Sequence, residues 1–344
     1  MTDFGASYSC EWHLYKVNRT TWADEREVGR LISASVSRDS EGTAPEIDSG
    51  TLTVEGPIGW EWEPGYYRLA MRAEQNGVER HDIATLLCES DGGSDDYGLD
   101  VKSVTGFSVL HPAARRTIDD GDFAAAGEDG AKKAARLLAG AINAPVSVEG
   151  SFALADHYNF APGSSVLESA WQILKAGNFC MWADGRGVVH IGPLPIRPTI
   201  MLDRAAARMV DSGVSHAMDL SSVPNLYIAV LNGVRAEASN HDGPKVSYSA
   251  RGYWHDEYDD SPTLLEGESL DAYAARRLAE LSIARDSRTY TRRYMPDAYP
   301  FMLVGGSMPS EGLDGNLRIV SQAIDSSNGI RVTETVCKEV ALWP

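Results

Sequence analysis

The densest group of side chains capable of chemistry lies between Arg251 and Asp260, where the sequence reads RGYWHDEYDD. Its potential metal ligands are one imidazole and four carboxylates: His255, Asp256, Glu257, Asp259 and Asp260. Nitrogen and oxygen donors of these types hold divalent cations in proteins. The spacing differs from that of an EF-hand loop, in which acidic residues alternate around a central glycine. A metal site and a solvated acidic loop both fit this segment, and we favour the loop.

A second acidic group follows the first β-rich part of the chain. Its members are Asp119, Asp120, Asp122, Glu128 and Asp129. Glycosidases place two carboxylates on either side of the scissile bond, one of them acting as a general acid. The distance between carboxylates in the folded chain decides between such a pair and a solvated surface, and we favour the surface.

Common catalytic motifs are missing from the sequence. The eight histidines include neither HExxH nor HxH, and no GxSxG elbow is present, which argues against zinc and serine hydrolases. Neither Gly92-Gly93 nor Gly305-Gly306 is followed by Lys-Ser or Lys-Thr, so we predict turns rather than phosphate loops. We therefore predict no catalytic, cofactor-binding or metal-binding residues, no cofactor and no enzymatic activity.

Four aromatic residues lie close together in the sequence, beside a proline-glycine turn: Trp60, Trp62, Tyr66 and Tyr67. Exposed rings would form a platform on which sugars stack, whereas buried rings would close one end of a β-barrel. Both interpretations fit the spacing, and we favour the barrel end.

The formal net charge of −18 argues against a protein that grips nucleic acid, because such binding requires Lys and Arg to neutralise phosphates. No run approaches the roughly 20 apolar residues of a membrane span, and the N-terminus lacks a secretion signal, so we expect synthesis in the host cytoplasm. The cysteines are widely spaced without a CxxC pair, which predicts four buried thiols: Cys10, Cys88, Cys180 and Cys337.

The elements that position these side chains are clearest between Ala161 and Ile191. Ser165 and Glu168 form a capping box at the start of a helix, and Gly177 is placed to end it. An apolar stripe follows the cap at helical spacing: Val166, Leu167, Ala170, Trp171 and Leu174. Two β-prone runs then flank Asp184-Gly185, which predicts a tight hairpin with positive φ angles at this dipeptide. We expect the stripe to be buried against the hairpin with no ligand between them.

Other patterns along the chain predict further turns and helices. The turn dipeptides are Asn76-Gly77, Asp242-Gly243, Asp314-Gly315 and Asn328-Gly329. Helices are predicted near 131–142, 165–176 and 270–285, the last capped by Ser269. The fold class is therefore α+β and mainly β, with two small β-barrel modules flanking, and interrupted by, an α/β helix-hairpin module.

These elements divide the chain into five segments. Residues 1–108 form the first β-barrel, and residues 109–204 form the α/β module. The second β-barrel begins with residues 205–248 and is completed by residues 286–344. Between its two parts, residues 249–285 form a helix-containing insertion that packs on the α/β module.

Three stretches in this order resemble the tail hub proteins of bacteriophages. They read SRD…SGTLTVEGP…GYYR, SSVLESAWQILKAGNFCMWADGRGVVHI and GLDGNLRIVSQAIDSSNGIRVTETV. The family comprises the baseplate hub of contractile tails and the tail-tip hub, or minor tail protein, of long non-contractile tails. The likeness covers nearly the whole chain and rests on the order of the modules rather than on catalytic residues.

The resemblance implies a virion structural protein, a homotrimer whose six β-barrels form a pseudo-sixfold ring at the tail tip. This ring would join the tail tube or distal tail protein to the tip and contact the tape measure protein and other tip or receptor-binding proteins. DNA would pass through its lumen transiently and without specific binding during genome ejection. An acidic lumen would repel DNA and let it slide through.

Two other hypotheses stay open. A carbohydrate-binding or cell-wall-hydrolysing protein of the tail tip would use acids such as Asp119 or Asp256, or the indoles of Trp60 and Trp62. An adaptor of a contractile secretion or injection system would share the barrels but carry no DNA traffic. We favour the tail hub.

Overall fold

The computed structural model describes residues 8–40, 47–96, 99–119, 121–202, 213–243, 245–262, 264, 267–326 and 331–342. Strands predominate over helices, which confirms that the chain is α+β and mainly β. Within these ranges, no helix is both long and apolar enough to cross a membrane.

The strands and helices follow one another along the chain with these bounds. The strands are β1 (Ser9–Val17), β2 (Asp24–Glu27), β3 (Arg30–Asp39), β4 (Ile47–Pro57), β5 (Gly65–Glu74), β6 (Val78–Asp96), β7 (Leu99–Ser108), β8 (Phe123–Ala124), β9 (Val146–Val148), β10 (Tyr158–Asn159), β11 (Phe179–Ala183), β12 (Val189–Pro193), β13 (Ile200–Leu202), β14 (Ser215–Met218), β15 (Leu226–Leu231), β16 (Val234–Ser239), β17 (Asp256–Asp259), β18 (Ile283–Arg293), β19 (Leu303–Met308), β20 (Leu313–Asp325) and β21 (Arg331–Ala341). The helices are α1 (His111–Arg115), α2 (Gly130–Ala139), α3 (Val166–Ala176), α4 (Tyr248–Arg251) and α5 (Leu270–Leu281).

The chain divides into two compact units. Unit 1 consists of Met1–Val214 and Thr289–Val336, and unit 2 consists of Ser215–Arg288 and Cys337–Pro344. The finer division into five segments remains a prediction.

The main sheet of unit 1 joins the two β-rich ends of the chain. Its strand order is β18-β21-β20-β3-β4-β7-β6-β5-β1-β2, an open path without a closed barrel among the described strands. β3 pairs antiparallel with β20, with Asp39 opposite Ser321 and Ser35 opposite Asp325. Backbone hydrogen bonds therefore connect the first predicted β module directly to the second, and their strands share one sheet.

Alternation along β3 shows how the sequence places residues on the two faces of this sheet. Ala34, Val36 and Arg38 are buried, whereas Ser35 and Ser37 between them are exposed. Because successive side chains of a strand point to opposite faces, the arginine lies on the same inward face as the two apolar residues.

The helix-hairpin unit of unit 1 confirms its predicted burial. The Ser165 hydroxyl accepts a hydrogen bond from the Glu168 backbone N–H at 3.1 Å, and α3 begins at the next residue after this cap. All five residues of the stripe are buried in one apolar cluster with the hairpin strands β11 and β12. Gly177 ends the helix with a φ of −97°. Glycine is required there for packing, because a Cβ would lie 2.4 Å from the ring of Phe152.

The turn of this hairpin differs from the prediction. Ala183 pairs with Val189, and the positive φ falls at Gly187, at +72°, rather than at Asp184-Gly185. Gly185 has a different role, since a Cβ there would lie 1.8 Å from the carbonyl oxygen of Asp82. Glycine at 185 allows the hairpin to approach the backbone of β6 closely.

Two further turns differ from the sequence patterns. β15 and β16 are joined at Asn232-Gly233, whose φ angles of +51° and +79° suit a two-residue hairpin turn. Asp242-Gly243 lies in the segment between β16 and α4, where the chain bends. β19 and β20 are joined through a 3-10 turn at Pro309–Glu311 followed by Gly312, which has a φ of +73°. Asp314-Gly315 lies inside β20, where it pairs with β19.

The remaining boundaries agree more closely with the sequence patterns. The hairpin at Asn76-Gly77 is confirmed by the pairing of β5 with β6. Asn328-Gly329 lies outside the described residues. α5 ends at Leu281, short of the predicted end at residue 285, because Ser282 caps it and β18 begins at Ile283.

Unit 2 contains a small sheet covered by one helix. The strand order is β16-β15-β17, and α5 packs against β15 and β16. Their shared core consists of Tyr227, Ala229, Ala236, Ala238, Tyr273, Ala274 and Leu278. The helix predicted to begin after Ser269 is confirmed, and it buries one face against this sheet.

All four cysteines lie within the described residues and remain thiols. Cys88, Cys180 and Cys337 are buried as predicted, but Cys10 is only partly buried. Burial raises the pKa of the Cys88 thiol to about 12, so this side chain stays protonated at neutral pH and acts as a core residue.

Candidate functional site

The acidic group at 119–129 stabilises α2 and the segment that precedes this helix. Asp129 caps this helix, accepting from the Lys132 backbone N–H at 3.3 Å and from its ammonium at 3.0 Å. Asp122 accepts from the Lys133 ammonium at 2.7 Å, and Glu128 pairs with Arg136. These three carboxylates therefore serve as ion-pair partners of lysine and arginine side chains. Asp120 lies outside the described residues.

The pKa of Asp129 agrees with this structural role. Its slight burial raises the pKa, but the hydrogen bonds and charge of Lys132 outweigh that effect and hold it below the ordinary value. The carboxylate is therefore ionised at neutral pH, as a helix cap at the positive end of the dipole requires.

The acidic segment at 251–260 does not converge on one point. The Asp259 carboxylate accepts hydrogen bonds from the hydroxyls of Tyr273 at 2.7 Å and Tyr227 at 2.9 Å. The Tyr273 hydrogen bond is the main cause that lowers the pKa of Asp259. Asp256 and Glu257 are exposed on β17. Across the described part of the chain, no three His, Cys, Asp or Glu side chains are grouped to hold a metal ion.

The aromatic group at 60–67 is part of the core. Trp62 and Tyr67 are 8% and 1% exposed, and their ring centroids lie 4.3 Å apart in the apolar cluster of the main sheet. Tyr66 points to the opposite face and is buried in the cluster of the helix-hairpin unit. Because sugar stacking requires open ring faces, Trp62, Tyr66 and Tyr67 cannot form the platform, whereas Trp60 is only partly buried against the same cluster.

The paired glycines are strand residues, which corrects the prediction of turns. Gly92-Gly93 lies in β6, and Gly305-Gly306 lies in β19. A Cβ at Gly305 would lie 2.6 Å from the Met201 sulfur, and one at Gly306 would lie 2.5 Å from the Leu313 carbonyl oxygen. Close neighbours, rather than turn geometry, require glycine in β19.

A buried polar network crosses the joint between the two β-rich ends of the chain. Arg292 on β18 and Glu334 on β21 form an ion pair, with Arg292 Nε 3.1 Å from the carboxylate. The Gln322 amide on β20 donates to the same carboxylate at 2.6 Å. Arg38 on β3 lies 3.5 Å from the Gln322 carbonyl oxygen and also donates to the Ile83 carbonyl oxygen. The network therefore connects β18, β20 and β21 with β3 and β6, on both sides of the pairing between β3 and β20.

The titratable groups of this network stabilise one another in the charged state. Burial alone would raise the pKa of Glu334, but the charge of Arg292 and the hydrogen bonds from Arg292, Tyr290 and Gln322 hold it below its ordinary value. Burial, together with the charge of Glu334, raises the pKa of Tyr290 far above its ordinary value, so its phenol remains a donor. The pair is thus charged at neutral pH although it lies in the core.

A second polar group fastens the hairpin loop to the main sheet. The Arg68 side chain is 6% exposed, pairs with Asp24 and donates to the Arg186 carbonyl oxygen at 3.0 Å. The Trp22 indole donates to the same oxygen at 2.8 Å, and the Thr85 hydroxyl donates to the Gly185 carbonyl oxygen at 3.0 Å. These contacts, which we call the hairpin latch, fix the loop to the sheet and leave it no free tip for catalysis.

An open cleft of about 280 Å³ lies beside the hairpin latch. Its walls include Arg80, Asp82, Arg186 and Asp297. Asp82 already pairs with Arg80 at 2.7 Å and with Arg186 at 3.1 Å. The charge of Asp82 is thus already balanced by two arginines within the cleft.

Unit 2 carries an exposed group of rings that the sequence patterns did not indicate. The rings of His241, Tyr248 and Trp254 contact one another, with centroids 5.4 Å apart for His241 and Tyr248, 4.6 Å for Tyr248 and Trp254, and 6.0 Å for His241 and Trp254. Trp254 is 39% exposed, and the neighbouring Tyr253 is 56% exposed. We call His241, Tyr248 and Trp254 the aromatic stack.

Buried polar groups hold the segments that carry the aromatic stack. The Asn225 amide is fully buried and donates to the carbonyl oxygens of Val246 at 3.0 Å and Tyr253 at 3.1 Å. Its carbonyl oxygen accepts from the His255 backbone N–H at 2.8 Å. Arg251 donates to the Val223 carbonyl oxygen at 2.7 Å. The stack is therefore positioned by a fixed framework rather than by mobile side chains alone.

The fold is that of phage tail proteins, as similarity to solved structures shows. The tail protein from Neisseria meningitidis MC58 matches with a TM-score of 0.63 and 13% identity, over 95% of this chain and 96% of that one. The 43 kDa tail protein of prophage MuSo2 from Shewanella oneidensis matches with a TM-score of 0.61 and 15% identity, over 94% and 97% of the two chains. Prophage tail protein gp18 from Listeria monocytogenes EGD-e matches with a TM-score of 0.50 and 10% identity, over 95% and 94%.

Sequence comparison alone does not reveal this similarity. No protein-family model matches the chain, and no curated protein matches its sequence. The similarity lies in the arrangement of strands and helices along nearly the whole of each chain.

Proposed function

We propose that this chain is the structural hub of a phage tail tip or baseplate. The observation that carries the proposal is the full-length similarity to two tail proteins, each of which is covered over more than nine-tenths of its length. The described acidic residues considered for catalysis supply further support, because Asp122, Glu128 and Asp129 pair with lysine or arginine side chains. The proposed role is therefore assembly rather than catalysis, in the tail of the virion.

The proposed hub is a homotrimer that presents six β-rich surfaces. Each subunit would contribute its N-terminal and C-terminal β segments, which the β3–β20 pairing holds in one sheet. Three such subunits approximate sixfold symmetry and so match a sixfold tail tube or distal tail ring. The opposite side of the ring would meet the tape measure protein and other tip or receptor-binding proteins.

The negative charge has a role in this assembly. Each subunit carries a formal net charge of −18, and duplex DNA is itself a dense polyanion. An acidic lumen repels DNA and keeps it from adhering during ejection. The proposal of an acidic lumen fails if all acidic side chains of the assembled ring lie on its outer surface.

Imaging of the purified full-length protein tests the hub role. The expected particle is a threefold ring with a central channel, which does not turn over cell-wall glycans. A cell-wall hydrolase would instead release soluble fragments, and its activity would fall on Asp119→Asn or Asp256→Asn substitution. The proposal would be overturned if the purified protein released soluble glycan fragments and its particles showed no threefold symmetry.

A further inference from the structure

We propose that the aromatic stack of unit 2 is a binding site for a neutral polysaccharide. The inference goes beyond the hub role and does not depend on it, because the residues that form the site lie within one unit of one chain. Sugar rings have one face of C–H groups and a periphery of hydroxyls. A site for them needs exposed aromatic rings beside hydrogen-bonding groups.

The exposure of the rings supplies the first half of this requirement. Trp254 is 39% exposed and Tyr253 is 56% exposed, although aromatic rings of this size are usually covered in a folded protein. Tyr248 is partly buried, whereas His241 and Trp254 are exposed, so the accessible surface of the stack belongs mainly to these two rings. Covering these surfaces with the apolar face of a sugar removes ring area from water.

The polar groups beside the stack supply the second half. The Asp242 carboxylate accepts from His241 Nδ1 at 2.8 Å and from the Ser249 hydroxyl at 2.8 Å. These hydrogen bonds, His241 first, lower the pKa of Asp242, so it is ionised at neutral pH and has lone pairs left for sugar hydroxyls. The pairing with Asp242 also fixes the orientation of the His241 ring.

The rigidity of the site favours binding, because little conformational freedom remains to be lost. Asn225 connects the segments before and after α4 from inside the unit. Ser247 is buried and caps α4 by accepting from the Ala250 backbone N–H at 3.1 Å. The backbone that carries Tyr248 and Trp254 is thus held in place without a ligand.

Charge favours a neutral polysaccharide over a charged polymer. An anionic polymer would meet the ionised Asp242 carboxylate beside the rings. A cationic peptide would meet the Arg251 guanidinium, which lies over the Tyr253 ring at 5.9 Å from its centroid. A neutral glycan meets neither form of repulsion.

Calorimetric titration of the full-length protein tests the inference, with chitotetraose, cellohexaose and maltoheptaose as separate neutral probes. We expect at least one probe to bind and Trp254→Ala to weaken that binding about tenfold or more, equivalent to about 1.4 kcal/mol. Trp254→Phe retains a ring and should recover most of the affinity. Tyr258→Ala is the matched control, because this ring is 60% exposed in the same unit but lies outside the stack.

Three results would overturn the inference. One is the absence of binding by all three probes at millimolar concentration. Another is equal affinity in wild type and Trp254→Ala, with both proteins folded by circular dichroism. The third is a change in oligomeric mass on Trp254→Ala without any glycan binding, which would make the stack a contact between copies. Binding by a neutral glycan should also be insensitive to salt, and a steep loss of affinity with added salt would contradict it.

Discussion

Arg292 and Glu334 form an ion pair in which each side chain is 1% exposed, at the joint where the C-terminal strands meet the N-terminal β segment. A buried pair of this kind costs desolvation energy on both sides, and the cost is offset only when both partners are present and fully hydrogen-bonded. Here Tyr290 and Gln322 supply the additional hydrogen bonds to the carboxylate. The pair therefore makes the sheet joint sensitive to the loss of either charge.

Substitution of Glu334 by Gln should strongly destabilise the protein. The change keeps the shape of the side chain but leaves the Arg292 charge buried without a counter-charge, which costs about 3–5 kcal/mol. Urea unfolding measures the change in free energy. Glu63→Gln is the control, because Glu63 pairs with Lys16 and Arg26 on the surface and should leave the free energy of unfolding nearly unchanged. Equal unfolding midpoints for the two variants would contradict the role of the buried pair.

The contribution of Glu334 should disappear in acid. Its pKa is lowered in the folded protein, so its stabilising effect is complete above the unfolded-state value of about 4.3 and is lost as the pH falls through the lower folded value. The difference in melting temperature between wild type and Glu334→Gln should therefore be largest near neutral pH and shrink in strong acid. A difference that is independent of pH would show that the charge of Glu334 is not the stabilising feature.

Much of the fold is predictable because it follows from local periodicity. The stripe of α3 and the cap at Ser165 repeat at helical spacing, and the alternation along β3 gives its inward face. Periodicity does not reveal the Arg292–Glu334 pair, whose partners come from strands far apart in the sequence. A weak signal existed at Arg38, a charge at an inward-facing position of an alternating strand, which indicates a buried partner.

Turns were less predictable than helices for a related reason. Both Asn232-Gly233 and Asp242-Gly243 have the composition of a hairpin turn, and strand pairing selects the first. Asp184-Gly185 also has the composition of a turn, but glycine is needed at 185 because this loop lies against the backbone of Asp82 on another strand. The aromatic stack has no period at all, since loop geometry brings its rings together.

The hairpin latch predicts a specific steric effect at Gly185. Alanine at this position would place its Cβ 1.8 Å from the Asp82 carbonyl oxygen, so either the loop or β6 must move. We expect a loss of about 2 kcal/mol in unfolding free energy and faster amide hydrogen exchange in residues 184–188. Gly92→Ala is the control in β6, because the nearest atom to its Cβ would be 3.9 Å away. Unchanged exchange in the loop of Gly185→Ala would contradict the latch.

The central claim is that this chain assembles into a trimeric hub, and its mass in solution is the most direct test. Native mass spectrometry of the full-length protein at micromolar concentration should show a dominant species of three times the 37.3 kDa chain mass. Dilution should lower its proportion without populating a stable dimer. A monomer that persists throughout the concentration range would contradict the account.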